Sequence, residues 1–203
     1  MHGIGKTVLA THLADDLSGD GGGTFLIDAD PHAGASDWSQ RRLRAGCPSR
    51  FRSCRSQPTQ LRRDVCELQQ IAANVVIDLP SRECPITQLA VMLADVILVP
   101  WQLQRNDPAS VASIGRTIAA ARASRPELRA AVVLNACAGG VHSREPARRA
   151  WLRESLPVLA CEVEHRRTFA DSTTTGLLVR EQASRDGVED VRQLAQAVRE
   201  LAT

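Results

Sequence analysis

The sequence predicts an α/β fold in which a mostly parallel sheet is flanked by helices, and three observations carry that reading. Short apolar runs alternate with segments whose apolar residues recur at helical spacing, from Thr24 to the end of the chain, which is the pattern of repeated strand–helix units. Two of these runs end in carboxylates, one in Asp28-Ala29-Asp30 and one in Asp78, so acids collect at the end of a parallel sheet where ligands sit. The third observation is the opening stretch, Gly3-Ile4-Gly5-Lys6-Thr7, placed immediately before the first helix. Glycines there let the backbone curl so that consecutive N–H groups point at phosphate oxygens.

The opening loop is the tail of a P-loop. Lys6 is positioned to reach β- and γ-phosphates as a point charge, and Thr7 to offer its hydroxyl to Mg²⁺ at the N-terminus of the following helix. Gly3, Ile4, Gly5, Lys6, Thr7 and Val8 are therefore the candidate nucleotide contacts. Of the 25 basic residues Lys6 is the single lysine. In a chain that otherwise uses arginine, a lysine kept at this position points to a task needing a compact ammonium.

After the loop, Val8, Leu9, Leu13 and Leu17 predict a helix over residues 6–17, closed by a glycine-rich turn. Residues 24–27 read as a buried strand. Residues 41–70 are polar and arginine-rich, with a short strand expected over 51–54 and a helix over 61–71. Strands follow at 74–78 and 95–100, then a helix over 107–123 with Asp107 as cap and Pro108 in its first turn. A strand over 131–135 ends in Asn135. A helix over 143–156 carries Arg144, Arg148, Arg149 and Arg153, a last strand covers 159–163, and helices cover 168–176 and 188–201. The final helix mixes acids with its apolar stripe, which predicts core packing rather than a membrane surface.

Length and composition fit one domain over residues 1–203: a chain of 203 residues with 43% hydrophobic content can bury a full core. There is no apolar run of membrane-spanning length and no secretory signal, so the expected compartment is cytoplasmic. Cys47, Cys54, Cys66, Cys84, Cys137 and Cys161 include no C-x-x-C pair, and the five histidines do not cluster. Mostly buried free thiols, and no Cys/His metal site, are expected. The net charge of +2 excludes a polycation, but eight arginines and no acid lie between Arg41 and Arg63, a candidate phosphate-binding surface.

The loop Gly3-x-Gly5-Lys6-Thr7, the segment Asp28-Ala29-Asp30-Pro31-His32 and the strand closing on Asp78 together resemble the ParA/MinD group of P-loop ATPases with a deviant Walker A motif. The likeness is to the small ParA-type partition ATPases without an N-terminal DNA-binding domain, and it extends over nearly the whole chain. It implies that Asp30 orients the attacking water, that Asp28 and Asp78 hold hydrated Mg²⁺ with Thr7, and that Asn135 contacts the adenine edge. It further implies an ATP-dependent homodimer that partitions plasmid or chromosomal DNA, binds DNA non-specifically and answers to a centromere-binding partner protein. That function places the protein at the nucleoid, with Arg148, Arg149, Arg166 and Arg167 as candidate DNA contacts.

Several positions depart from the family pattern. His32 replaces the usual Gln, and Leu79-Pro80-Ser81 follows Asp78 where a glycine is common. Met1 stands at the position of the signature lysine. The strand that precedes the loop has no residues in this sequence, so the expectation is a sheet with that N-terminal strand missing, from an upstream start or a truncated gene. A non-hydrolysing nucleotide-binding relic or regulatory protein therefore stays open as the alternative, as does an ATP-dependent amide-forming synthase of the same superfamily.

Overall fold

The computed structural model describes residues 5–102, 108–137, 144–164 and 166–203. Gly3, Ile4 and Asp107 lie outside the described residues. The chain begins with α1 (Lys6–Leu17), which starts where Gly5 takes a left-handed turn at φ 80°. Its buried Leu9, Leu13 and Leu17 form the predicted stripe, and the Ser18 hydroxyl closes it by donating to the Ala14 carbonyl at 2.6 Å. There follow β1 (Thr24–Asp28), α2 (Gly34–Arg44), β2 (Arg52–Arg55), α3 (Leu61–Leu68) and β3 (Asn74–Asp78). The second half contains α4 (Pro85–Leu93), β4 (Val96–Trp101), α5 (Pro108–Ser124), β5 (Arg129–Cys137), α6 (Arg144–Arg153), β6 (Val158–Glu164), α7 (Arg167–Thr175) and α8 (Val188–Ala202).

All strand pairs are parallel, but they form two sheets rather than one: β2-β1-β3 and β4-β5-β6. Side chains alternate across them as the pleat requires. Leu26, Val76, Leu98 and Val133 point to a layer containing α1, α2 and α8. Ile27, Val75 and Ile77 point to α3 and α4, and Val99, Trp101, Val132 and Leu134 to α5 and α6. Under the second sheet Trp101 and Trp151 meet edge to face at 4.7 Å between ring centroids, the arrangement their quadrupoles favour.

Two helices go beyond the sequence reading. α2 presents only Ala35, Trp38 and the buried Arg42 inward. Arg42 is accepted in the core because Glu181 takes both of its terminal nitrogens, at 2.6 and 2.8 Å, and the carbonyls of Gly176 and Pro48 take more. α4 starts with Pro85 and turns Ile86, Ala90 and Val91 inward, a short helix that the sequence reading did not single out. The cysteines also differ from expectation: Cys66 is exposed and Cys47, Cys54, Cys84 and Cys161 are only half-buried.

Among the described residues no strand lies between β3 and β4. A cavity of about 390 Å³ separates them, lined by Leu13 of α1, Val76 and Ile77 of β3, Ile97 and Leu98 of β4, and Val91 of α4. The sheet has not shifted to close the gap, and its two halves are held together by the helices above and below.

Candidate functional site

The loop entering α1 lies at the C-terminal ends of the strands. The Lys6 ammonium donates to the Ser81 hydroxyl at 2.5 Å, and the Thr7 hydroxyl donates to Asp78 Oδ2 at 2.6 Å. Asp78 ends β3 directly beside Asp28 at the end of β1, its register partner. Asp28 accepts backbone N–H bonds from Ser36 at 2.7 Å and Asp30 at 3.2 Å. Asp30 in turn accepts from the His32 N–H at 2.9 Å, an Asx turn that fixes the loop after β1.

The electrostatics are those of acids packed without enough cation. Burial pushes the Asp78 carboxyl up to about 6, reinforced by Asp28 and Asp30 and opposed by the Thr7 hydroxyl and Lys6. Burial lowers the Lys6 ammonium, while Asp78 and Asp30 hold it up. A hard cation beside these oxygens relieves the repulsion. No group of three or more acids, histidines or cysteines forms a metal cage among the described residues. The donor set therefore suits Mg²⁺, which keeps several waters and takes one or two carboxylates plus phosphate oxygens. Thr7, Asp28 and Asp78 are the residues able to hold it.

Two contacts shape the cradle. A Cβ added to Gly5 would fall 2.5 Å from the Asn135 side-chain nitrogen, and one added to Gly34 would lie 3.2 Å from the Thr7 hydroxyl. Asn135 is thus pressed against the loop backbone, and the first residue of α2 leaves room for Thr7. Ser81, which accepts from Lys6, is a residue of this cluster that sequence reasoning did not single out as a contact. Its only signal was a hydroxyl three residues past a carboxylate-ending strand.

The four arginines proposed for DNA do not form one free patch. Arg166 donates to both oxygens of Asp190, at 3.0 and 3.1 Å, and lies 3.2 Å from Glu164. Its guanidinium links the start of α7 to α8. Arg149 pairs with Glu145 one turn away and Arg167 with Asp171, both exposed, where such pairs exchange readily with solvent. Arg148 is half-buried on α6, with its Nε lacking a partner. In the arginine-rich stretch Arg42 is structural, whereas Arg44, Arg50, Arg52, Arg55 and Arg62 are exposed around the edge strand β2.

Comparison with known proteins agrees with this geometry. The family model described as the CobQ/CobB/MinD/ParA nucleotide binding domain matches residues 2–179. The chain is 26% identical to the maintenance of carboxysome distribution protein A of Halothiobacillus neapolitanus, over 97% of this chain and 91% of that protein. Among solved structures, the apo McdA of Cyanothece superposes with a TM-score of 0.74 at 14% identity, covering 100% of this chain and 96% of that one. Cobyrinic acid a,c-diamide synthase from Mycobacterium smegmatis, with bound ATP analog and magnesium, gives 0.75 at 19% identity over 98% and 91%. The cell division ATPase MinD of Pyrococcus furiosus gives 0.71 at 17% identity over 98% and 95%.

Proposed function

The chain belongs to the CobQ/CobB/MinD/ParA nucleotide-binding domain family, and from that premise we propose that it is an ATP-driven positioning ATPase. The observation that carries the reading is the convergence of Lys6, Thr7, Asp28, Asp30 and Asp78 at one end of the strands, with Thr7 and Asp78 already in contact. In this reading Lys6 and the loop amides hold the phosphates of ATP, and Asp30 orients water. Mg²⁺ bound near Thr7 and Asp78 supplies charge neutralisation on the phosphates. The protein's contribution is positioning and electrostatics, as phosphoryl transfer requires.

ATP makes the protein a homodimer, which holds DNA non-specifically through arginines, Arg148, Arg149, Arg166 and Arg167 among them. A centromere-binding partner protein stimulates hydrolysis and release, and the cargo is plasmid or chromosomal DNA at the nucleoid. The name of the Halothiobacillus relative gives a protein body as another kind of cargo that such an ATPase can distribute. Among the described residues no helix is long and apolar enough to cross a membrane.

The test is Mg²⁺-dependent ATP hydrolysis with and without duplex DNA, at two salt concentrations. Lys6→Ala should abolish ATP binding, and Asp30→Ala should keep binding while losing turnover. DNA binding that is absent or insensitive to salt would remove the DNA step. A second reading is a nucleotide-binding protein without turnover. ATP binding by the wild type without hydrolysis under any condition would select it.

A further inference from the structure

We propose that the arginine-lined edge of the first sheet, around β2, seats the phosphate backbone of duplex DNA, a proposal that rests on the DNA step of the reading above and gives that step a surface apart from α6 and α7. The sequence supplies the charge. No acid lies between Arg41 and Arg63, and without Arg44, Arg50, Arg52, Arg55 and Arg62 the chain, at a net charge of +2, would be net negative. The other three arginines of the stretch are engaged. Arg42 is held by Glu181, Arg63 by Asp64 and Glu67, and Arg41 donates to the Thr173 carbonyl at 2.9 Å. The remaining five are exposed and have no carboxylate partner among the described residues.

The backbone adds donors to that row. β2 is the outermost strand of its sheet, and the Ser56 N–H donates to the Asp28 carbonyl at 3.0 Å. Residues 52, 54 and 56 therefore bond toward β1, and the N–H groups of Ser53 and Arg55 point outward, where phosphate oxygens accept from amides as well as from arginines. Phe51 packs with Trp38 of α2 and Cys54 with Leu61 of α3, so the pleat places Arg55 on the α2 side and Arg52 on the α3 side. Arg52 is steadied by the Phe25 ring, whose centroid lies 5.9 Å from its guanidinium carbon, a cation–π contact. From Arg52 to Arg55 the strand rises about 10 Å, the axial rise of about three successive phosphates of one DNA strand.

A duplex backbone matches this edge better than a membrane or an added strand does. Membrane surfaces take an apolar face beside the charges, and Leu43 is the one exposed large apolar side chain of the stretch. A peptide adding to the four-residue β2 would find two outward amides, and charged edge residues oppose such pairing. Guanidinium groups grip phosphate with two parallel hydrogen bonds. Spread over two helices and a strand rather than converging, these groups suit a backbone and predict little sequence preference.

The experiment measures binding of the full chain, with ATP and Mg²⁺, to two duplexes of unrelated sequence at salt concentrations from about 50 to about 200 mM. The triple variant Arg50→Gln, Arg52→Gln, Arg55→Gln should bind both duplexes at least about tenfold more weakly at the low-salt end. Its slope of log affinity against log salt should be shallower by about 2–3. The double variant Arg44→Gln, Arg62→Gln, which removes no contact within the fold, should show a smaller loss in the same direction, and melting curves check that both variants fold. Affinity and slope equal to the wild type in both variants overturn the proposal. If Arg148→Gln, Arg149→Gln, Arg167→Gln then abolishes binding, the DNA step stands at α6 and α7 alone. Tighter binding of polyglutamate or of phosphatidylglycerol vesicles than of DNA through the same β2 arginines also overturns it, in favour of an acidic protein or a membrane. A wild type that binds no duplex removes this proposal and the DNA step together, while ATP turnover measured without DNA reads the ATPase proposal separately.

Discussion

β1 and β5 differ from β3 and β4 much less in composition than in surroundings. Phe25-Leu26-Ile27 and Val75-Val76-Ile77 are nearly interchangeable apolar triplets, as are Val132-Val133-Leu134 and Val96-Ile97-Leu98. Yet Leu26, Ile27, Val132, Val133 and Leu134 are 0% exposed, whereas every residue of the other two triplets is only half-buried. β1 and β5 are flanked by a strand on each side, while β3 and β4 each have one neighbour. An apolar run thus sets the capacity of a strand to be buried, and its neighbours in the sheet decide how much of that capacity is used.

The strongest test of that contrast is a pair of truncations. Leu26→Ala should cost about 3 kcal/mol, since it leaves a cavity in a closed site. Leu98→Ala removes a side chain that already borders a cavity and should cost about 1 kcal/mol. Urea unfolding of both variants decides the matter. Equal costs would break the comparison, because Leu98 would then be as enclosed in solution as Leu26.

α1 forms the roof of the gap, and a buried histidine holds its far side. His12 donates through Nδ1 to the Val8 carbonyl, 2.7 Å away, and its Nε2 accepts from the Val179 N–H at 3.1 Å. The second bond needs an unprotonated nitrogen. Burial lowers the His12 pKa to about 4, against the upward pull of the Val8 carbonyl, Asp15 and Glu181, with Arg42 adding to the lowering. The unfolded chain binds the proton near the ordinary value of about 6.5, so stability is unaffected above that pH and falls as pH drops toward 4. The loss should approach about 3 kcal/mol once the pH is well below 4, and His12→Gln should flatten this part of the stability–pH curve. A curve unchanged by the substitution would show that α1 is not fastened there.

The two carboxylates that end β1 and β3 extend the same contrast to the site. Asp28 has two backbone donors, while Asp78, on the strand bordering the gap, has the Thr7 hydroxyl. With a folded pKa raised to about 6, ionised Asp78 lowers stability above that pH, and the deficit disappears as pH falls toward its ordinary value. Asp78→Asn should therefore stabilise the protein by about 1–2 kcal/mol at pH 7 in thermal melts without Mg²⁺. It should also weaken Mg²⁺-dependent ATP turnover. A destabilised variant would mean that the Thr7 contact outweighs the repulsion.

What was legible in the sequence divides along physical lines. Strands reveal themselves by apolar runs, and the loop by residues whose types its chemistry demands, so β1, β3, β4, β5, β6 and the approach of Lys6, Thr7, Asp28 and Asp78 were foreseen. α2 was hidden because one of its three inward residues is an arginine, which becomes a core residue only through Glu181, 139 positions away. α4 was hidden because it has only nine residues, most of them apolar, so its inward face stands out weakly from the rest. The pairing of Arg166 was hidden for a related reason: only the fold brings Asp190 to it. Pairing across the chain, unlike periodicity, leaves no local trace.

The smallest effect tests strand pairing itself. The Asp95 carbonyl accepts from Arg129, which turns residues 95, 97 and 99 toward β5 and leaves Val96 and Leu98 facing the gap. Pro100 sits in β4 at a position of the same parity as Val96 and Leu98, so its nitrogen faces the gap and no ladder bond to β5 is sacrificed. Proline is tolerated in a strand on such an open side. Pro100→Ala should therefore break no hydrogen bond in the sheet. It should cost only about 0.5–1 kcal/mol, through the greater freedom of the unfolded chain. Urea unfolding measures this directly. A gain in stability would instead mean that the new N–H finds an acceptor across the gap, which only a strand already lying there supplies, and the distinction between β3 and β4 on one hand and β1 and β5 on the other would vanish in solution.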